Sequence, residues 1–227
     1  MCRQPSIRAP TKTSRHPTVT GCSSGIGRAI ATLVASKPAQ RLIATARNPA
    51  DLSYLPDGNA NILKLPLDVT SPSSISAAFA SAADHFGNQG GGGKFHVDVV
   101  INNAGYSLSG DTESATEEET HQEMETLFFG TARVTTRAIE VMRQSDDCRG
   151  GVIFNISSLA GLCAFPGHAY YHAGKFAVEG FSESVAKEVH PDWNSGCPPP
   201  SPLLILLPSR PRVSVSGGEG VLWYGVM

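Results

Sequence analysis

The stretch Thr20-Gly21-Cys22-Ser23-Ser24-Gly25-Ile26-Gly27 limits what this chain can fold into more than any other segment. It follows the short β-prone run Thr18–Thr20 and opens directly into Arg28-Ala29-Ile30-Ala31-Thr32-Leu33, a helical pattern. Strand, glycine turn and helix in that order form the setting in which a turn can cradle phosphate. Glycines let the backbone turn tightly and approach a pyrophosphate, so a side chain at Gly21 or Gly27 would intrude. The free N–H groups and positive dipole end of the helix attract the anion, with Ser23, Ser24, Gly25 and Ile26 completing the cradle. A plain glycine-rich turn is the competing reading, and the flanking elements weigh against it.

From Thr18 onward, short apolar runs alternate with longer helical patterns, which predicts an α/β chain with a doubly wound parallel sheet. Strands are expected at Thr18–Thr20, Arg41–Ala46, Asn61–Leu65, Val97–Ile101 and Val152–Ile156. Between Thr120 and Gln144, Met124, Leu127, Phe128, Val134, Ala138, Val141 and Met142 recur at helical spacing and predict one long helix packed on the sheet. Gly87–Gly93 reads as a loop that lengthens a connection. Pro198–Pro200 end any preceding helix. The organisation expected is a tail over residues 1–17, one domain over 18–194 and an irregular tail over 195–227.

Composition narrows the function. At 227 residues, 41% hydrophobic and 17% charged, the chain can bury one sizeable core. A formal charge of -2 leaves no basic excess for a nucleic-acid backbone, so the expected partner is a small molecule. Cys2, Cys22, Cys148, Cys163 and Cys197 are scattered, without a CxxC pair, which predicts neither a disulfide framework nor a metal site. No apolar run approaches the roughly 18 residues that span a bilayer. A cytoplasmic protein is expected. Arg3, Arg8, Lys12 and Arg15 with no acid among them leave two readings of the amino terminus, a disordered tail or a weak transit peptide.

The second strand runs into Ala44-Thr45-Ala46-Arg47-Asn48, where a dinucleotide fold places the adenosine ribose. An acid there would bind the 2'-hydroxyl of NAD. Arg47 offers a fork of donors suited to a 2'-phosphate, which favours NADP over NAD; a solvated surface arginine is the alternative. Asp68, after the third strand, either accepts from the adenine amino group or caps the next turn.

Tyr171 and Lys175 lie four residues apart in a helical segment, Ala169–His190, so both project from one face. A free phenol holds its proton up to about pH 10, and a neighbouring ammonium favours phenolate, which makes such a pair a usable acid and base. Ser158, at the end of the fifth strand, lies on the carboxyl edge of the sheet, where ligands bind, and can hold a substrate oxygen. A tyrosine and lysine on a helix can also be surface decoration. Joined to a phosphate cradle and a strand-end serine, they point to hydride chemistry on a carbonyl or alcohol.

Four segments together resemble the short-chain dehydrogenase/reductase family: Thr20–Gly27, Asn102-Asn103-Ala104-Gly105, Asn155-Ile156-Ser157-Ser158 and Tyr171-His172-Ala173-Gly174-Lys175. The likeness runs from about Thr18 to Asn194 and is nearest to hydroxysteroid and retinol dehydrogenase-like members. It implies a Rossmann sheet and a nicotinamide cofactor. Tyr171 would transfer the proton, Lys175 bind the nicotinamide ribose and tune Tyr171, and Ser158 orient the carbonyl. Spacing within the family selects Ser158 over Ser157 and Tyr171 over Tyr170. Asn103 would meet the adenosine side of the cofactor, and Gly105 would keep the wall beside it open. A homo-oligomer packed through the two long helices is also implied.

Two departures stand out. The family's relay asparagine, three residues before a glycine, is here Leu127 before Phe128-Phe129-Gly130, and no asparagine occurs between Asn103 and Asn155. After Asn194 the resemblance stops, so the last strands and the substrate-covering helix are expected to be lacking, with a frame change or retained intron as the suggested origin. The first strand is also poor in apolar residues, with Ser14-Arg15-His16-Pro17 at its start.

Overall fold

The structure, a computed structural model, describes residues 15–87, 95–144 and 150–189, and the backbone of Leu203–Leu207. Most of the expected amino-terminal tail, the Gly87–Gly93 loop beyond Gly87, and residues 190–202 and 208–227 lie outside the described residues. Six strands form one parallel sheet: β1 Pro17–Val19, β2 Leu42–Ala46, β3 Ile62–Pro66, β4 Val99–Asn102, β5 Val152–Ile156 and β6 Leu203–Leu207. Their order is β3-β2-β1-β4-β5-β6, the doubly wound arrangement, with its change of direction between β1 and β4. Around them lie α1 Gly25–Ala35, α2 Pro72–Gly87, α3 Glu117–Met124, α4 Thr131–Arg143 and α5 Ala169–Glu188.

β2 shows how the sequence builds two layers. Leu42, Ala44 and Ala46 join a core with Val19, Ala31, Leu52 and Leu55 beneath α1. Ile43, one residue out of phase, joins Phe79, Val100, Val134 and Ile153 on the opposite face. β1 has little apolar content because His16 works in its place. The His16 ring packs 5.2 Å from Phe86 and 5.4 Å from Phe95, and its main-chain N–H donates to Asp98 Oδ2 at 2.8 Å.

Two expectations need correction. The long helix expected over Thr120–Gln144 is broken by a π-helical turn, Glu125–Gly130, between α3 and α4. At its end Gly130 lies so close to β3's outgoing loop that a Cβ there would sit 2.7 Å from Val69 Cγ2. The tail expected to be irregular also supplies a strand: Leu203–Leu207, an apolar run able to imitate a sixth strand though no Pro-Gly turn follows it, pairs in parallel with β5, from Val152↔Leu203 to Ile156↔Leu207. That run lies in the segment expected to be irregular, and an unbroken apolar stretch is what a strand in a two-sided parallel sheet requires.

Candidate active site

The site lies along the carboxyl edge at the β1/β4 switch. β1 ends in the glycine turn, which is held from three sides. Cys22 N–H donates to Thr45 O at 2.8 Å, Tyr54 Oη–H donates to Cys22 O at 2.8 Å, and Asn103 Nδ2 donates to Thr20 O at 3.0 Å and Gly21 O at 3.2 Å. Thr20 Oγ1 accepts the Asn103 and Ala104 N–H groups at 3.0 and 3.1 Å, closing β1's loop against β4's. In the sequence Thr20 stands only as the residue that opens the glycine turn, and nothing local marks its hydroxyl as the link between the two loops.

The glycines divide by task. Gly21 has φ +69, and a Cβ there would come within 2.8 Å of Ala104 Cα; a Cβ on Gly27 would be 2.3 Å from Gly21 O. Both are needed for packing. Gly25, at φ +55, faces nothing within 4 Å. Ser24 caps α1 in extended conformation with no side-chain bond into the helix, and Ser24, Gly25 and Ile26 are exposed. The first turn of α1 therefore offers its N–H groups to open space, as a phosphate cradle requires. Arg47 is exposed just past β2, and its charge is felt at Tyr106 across the edge. Asp68 Oδ1 accepts Thr70 N–H at 2.9 Å and Thr70 Oγ1–H at 2.8 Å, the bonds of a turn cap at the carboxyl end of β3.

On the other side, Asn102 and Asn155 pair in register and anchor the strand ends. Asn102 Nδ2 donates to Asn155 Oδ1 at 2.8 Å and to Thr135 Oγ1 at 2.9 Å, while Asn155 Nδ2 donates to Ser182 Oγ at 2.8 Å. This buried chain ties β4 and β5 to α4 and α5 directly beneath the site. Lys175, buried on α5, donates from Nζ to Ile156 O at 2.8 Å, which fixes it to the end of β5 two residues before Ser158. Its Nζ lies 5.7 Å from the centroid of the half-buried Tyr171 ring. Burial pushes Lys175 down to about 8, although the charges of Glu179 and Glu123 pull the other way. Ser158 Oγ accepts Ala160 N–H at 3.2 Å, leaving its own proton to donate. The structure thus brings Ser158, Tyr171 and Lys175 to one end of β5 and places Gly21–Gly27, Asn103 and Gly105 around the neighbouring switch.

Three further side chains shape this wall. Leu127, buried, fills the space between two glycines: Cβ atoms at Gly105 and Gly174 would sit 2.8 Å from its Cδ2 and 3.0 Å from its Cδ1. His172 pins the segment after β5 to α5, its Nδ1 lying 2.9 Å from Ala160 O and its Nε2 accepting Phe165 N–H at 3.1 Å. Glu123 is enclosed on α3 and accepts Leu108 N–H at 2.5 Å. In a segment as polar as Glu117–Met124, no local pattern marks Glu123 as the enclosed carboxylate. Among the described residues no three or more His, Cys, Asp or Glu are grouped to hold a metal ion, and no helix is long and apolar enough to cross a membrane.

The chain is similar to known proteins in sequence and fold. Residues 15–198 match the family model described as short chain dehydrogenase. "Oxidoreductase calM" of Penicillium decumbens is 72% identical over 176 residues, which is 78% of this chain and 56% of that protein. "3-ketodihydrosphingosine reductase" of Bacteroides thetaiotaomicron is 36% identical over 173 residues, 76% of this chain and 58% of that one. The chain therefore spans little more than half the length of these curated relatives. Among solved structures, a short-chain dehydrogenase from Streptomyces avermitilis superposes with a TM-score of 0.71 at 31% identity, covering 92% of this chain and 72% of that one. The parallel sheet, the glycine turn at its switch and the matched family model together place this chain in the short-chain dehydrogenase family.

Proposed function

We propose that the chain uses NADPH to interconvert a ketone or aldehyde with an alcohol, with Tyr171 as the acid and base. The observation that carries this reading is the Lys175 ammonium, buried, bonded to Ile156 O and lying 5.7 Å from the Tyr171 ring centre, at the strand end that also bears Ser158. NADP, when bound, supplies or takes the hydride. Gly21–Gly27 and the first turn of α1 would hold its pyrophosphate, Arg47 its 2'-phosphate, and Lys175 its nicotinamide ribose. Asp68, Asn103 and Gly105 would line the adenosine side.

In the reducing direction, Ser158 Oγ–H donates to the substrate oxygen and sets its orientation. Tyr171 Oη–H hands its proton to that oxygen as negative charge develops there. The nearby ammonium stabilises the phenolate left behind. Exposed Tyr106, Leu159 and Phe165 around this edge support a substrate with an apolar body. Phe129 and Phe176, exposed on the two helical faces, support a homo-oligomer. The test is melting temperature with NADPH or NADH, followed by NADPH oxidation against a panel of ketones. A shift with NADPH and turnover of at least one ketone are expected.

A second reading, a nucleotide-binding relative with impaired catalysis, is favoured by one observation: Leu127, which has no hydrogen-bonding group, fills the space between Gly105 and Gly174, where the family resemblance calls for a relay asparagine. Cofactor binding without turnover would select it.

A further inference from the structure

The glycine turn and Arg47 reach the carboxyl edge from different strands, and a phenol joins them. Past Arg47 the chain enters a short helical turn, Pro49–Leu52, capped by Asn48 Oδ1, which accepts Ala50 N–H at 3.1 Å. Leu52 and Leu55 are buried in the core beneath α1, so the segment that begins with Arg47 is fixed on both sides of Tyr54. From there the Tyr54 Oη–H donates to Cys22 O at 2.8 Å. Arg28, in the opening turns of α1, lays its guanidinium over the same ring, 4.3 Å from the centroid.

Cys22 and Ser23 are the two central residues of the turn that links β1 to α1. The central peptide of such a turn takes no part in the turn's own hydrogen bond, and rotation of that one peptide interconverts turn types, so outside partners decide where it points. Here Tyr54 holds its carbonyl, and the preceding Cys22 N–H is bonded to Thr45 O at 2.8 Å. A trans peptide is planar, with its C=O and N–H opposed. With the carbonyl turned to Tyr54, the Ser23 N–H is therefore turned away from the phenol. Ser23 stands directly before the exposed Ser24, Gly25 and Ile26. Tyr54 is only partly buried, so water could serve its hydroxyl nearly as well and the bond adds little to stability; what it determines is the direction of the peptide. Burial pushes the Tyr54 phenol up to about 12, against the pull of the Arg28 charge, so it keeps the proton that the bond needs.

We propose that Tyr54 is a positioning residue for the cofactor's adenosine phosphates: it turns the Cys22–Ser23 peptide so that the Ser23 N–H donates to phosphate, and it holds that donor in register with Arg47. Arg28 keeps the ring in place from the other side. The inference rests on the reading of Gly21–Gly27 and Arg47 as the groups that hold phosphate, and it involves neither Tyr171 nor Lys175.

The test measures binding of adenosine 2',5'-bisphosphate, which carries phosphates on both sides of the ribose and no reacting ring, to the full chain by titration calorimetry. Tyr54→Phe keeps the ring beneath Arg28 and removes only the hydroxyl. Its Kd for the bisphosphate is expected to be roughly tenfold higher than that of wild type, the loss of one hydrogen bond to a charged group. In 13C,15N-labelled protein without ligand, the Cys22 carbonyl carbon and Ser23 amide resonances should move in the variant. Adding the bisphosphate should shift the Ser23 amide strongly in wild type and weakly in Tyr54→Phe. Arg28→Met decides the question if Tyr54→Phe does not fold, since uncovering the ring should move the same Cys22 resonance and weaken the bisphosphate. With NADPH and a reducible ketone, Tyr54→Phe should raise KM for NADPH by a larger factor than it lowers kcat. Equal affinity of wild type and Tyr54→Phe for the bisphosphate, or an unmoved Cys22 resonance in Arg28→Met where that variant decides, would overturn the proposal. A wild type that does not bind the bisphosphate would instead strike the reading of the glycine turn and Arg47, and the proposal with it.

Discussion

Replacing Gly27 by alanine and, separately, Gly25 by alanine puts the same methyl group into two different surroundings. At Gly27 the new Cβ would lie 2.3 Å from Gly21 O, 2.4 Å from Asn103 Nδ2 and 2.9 Å from Gly21 C. Ordinary carbon contacts lie at about 3.5–4 Å, so the turn must retreat by about an ångström. That movement breaks the Asn103 bonds to Thr20 O and Gly21 O, at about 1 kcal/mol each, and adds about 1–3 kcal/mol of overpacking. Better helix propensity returns about 1 kcal/mol, leaving a net loss of about 3 kcal/mol and a fall in Tm of about 6–12 °C. At Gly25 nothing lies within 4 Å, and the penalty is the left-handed backbone alone, about 1–2 kcal/mol. The methyl there occupies the space in front of α1, so NADPH affinity should fall at least about tenfold in a protein that still folds. Thermal melting with and without NADPH reads both effects. A Gly27→Ala protein melting within about 2 °C of wild type, or a Gly25→Ala protein binding NADPH undiminished, would refute the reasoning.

Three other outcomes follow from single side chains. Lys175, with its ordinary value of 10.5 pushed down to about 8, is neutral in the folded chain and charged in the unfolded chain between those values, so its contribution to stability rises with pH through that window. The unfolding free energy of wild type relative to Lys175→Met should grow by about 3 kcal/mol from pH 8 to 10.5, and a flat difference would contradict it. Arg47→Glu should raise KM for NADPH roughly tenfold and lower that for NADH, as steady-state kinetics would show. Burial pushes Asp98 up, but the His16 bonds and the charges of His96 and His16 outweigh it and hold the carboxyl below its ordinary range. Its stabilising effect is therefore present above the ordinary carboxylate value and lost as pH falls through the depressed one. Asp98→Asn should lose about 2 kcal/mol at neutral pH in urea unfolding and flatten the acid limb.

Much of this was legible in the sequence because it is local. The glycine turn, the four-residue spacing of Tyr171 and Lys175, and the alternation of β2 each declare themselves within a few residues. Strand β5, Val152–Ile156, has the bounds its pattern predicts. What escaped depends on residues far apart in the chain. His16 replaces apolar content in β1 only because Asp98, 82 positions away, and Phe86 meet it. The π turn at Glu125–Gly130 ends where Gly130 closely approaches Val69, a contact that helical periodicity cannot express. The apolar run Leu203–Leu207 is visible locally as a possible strand, but its pairing depends on an edge of β5 supplied by residues about fifty positions earlier. Asp68 shows the opposite limit, since both of its readings suit the sequence and the Oδ1 bonds to Thr70, which form a cap, do not choose between them.

The account turns on the phenol of Tyr171 as the group that moves the proton. NADPH oxidation in the presence of a ketone panel, measured for wild type and Tyr171→Phe side by side with their melting shifts on NADPH, addresses it directly. The expected result is an equal NADPH shift in both proteins, with turnover in wild type and a loss of at least about a hundredfold in the phenylalanine variant. A phenylalanine variant that reduces the same ketone at the wild-type rate would contradict it.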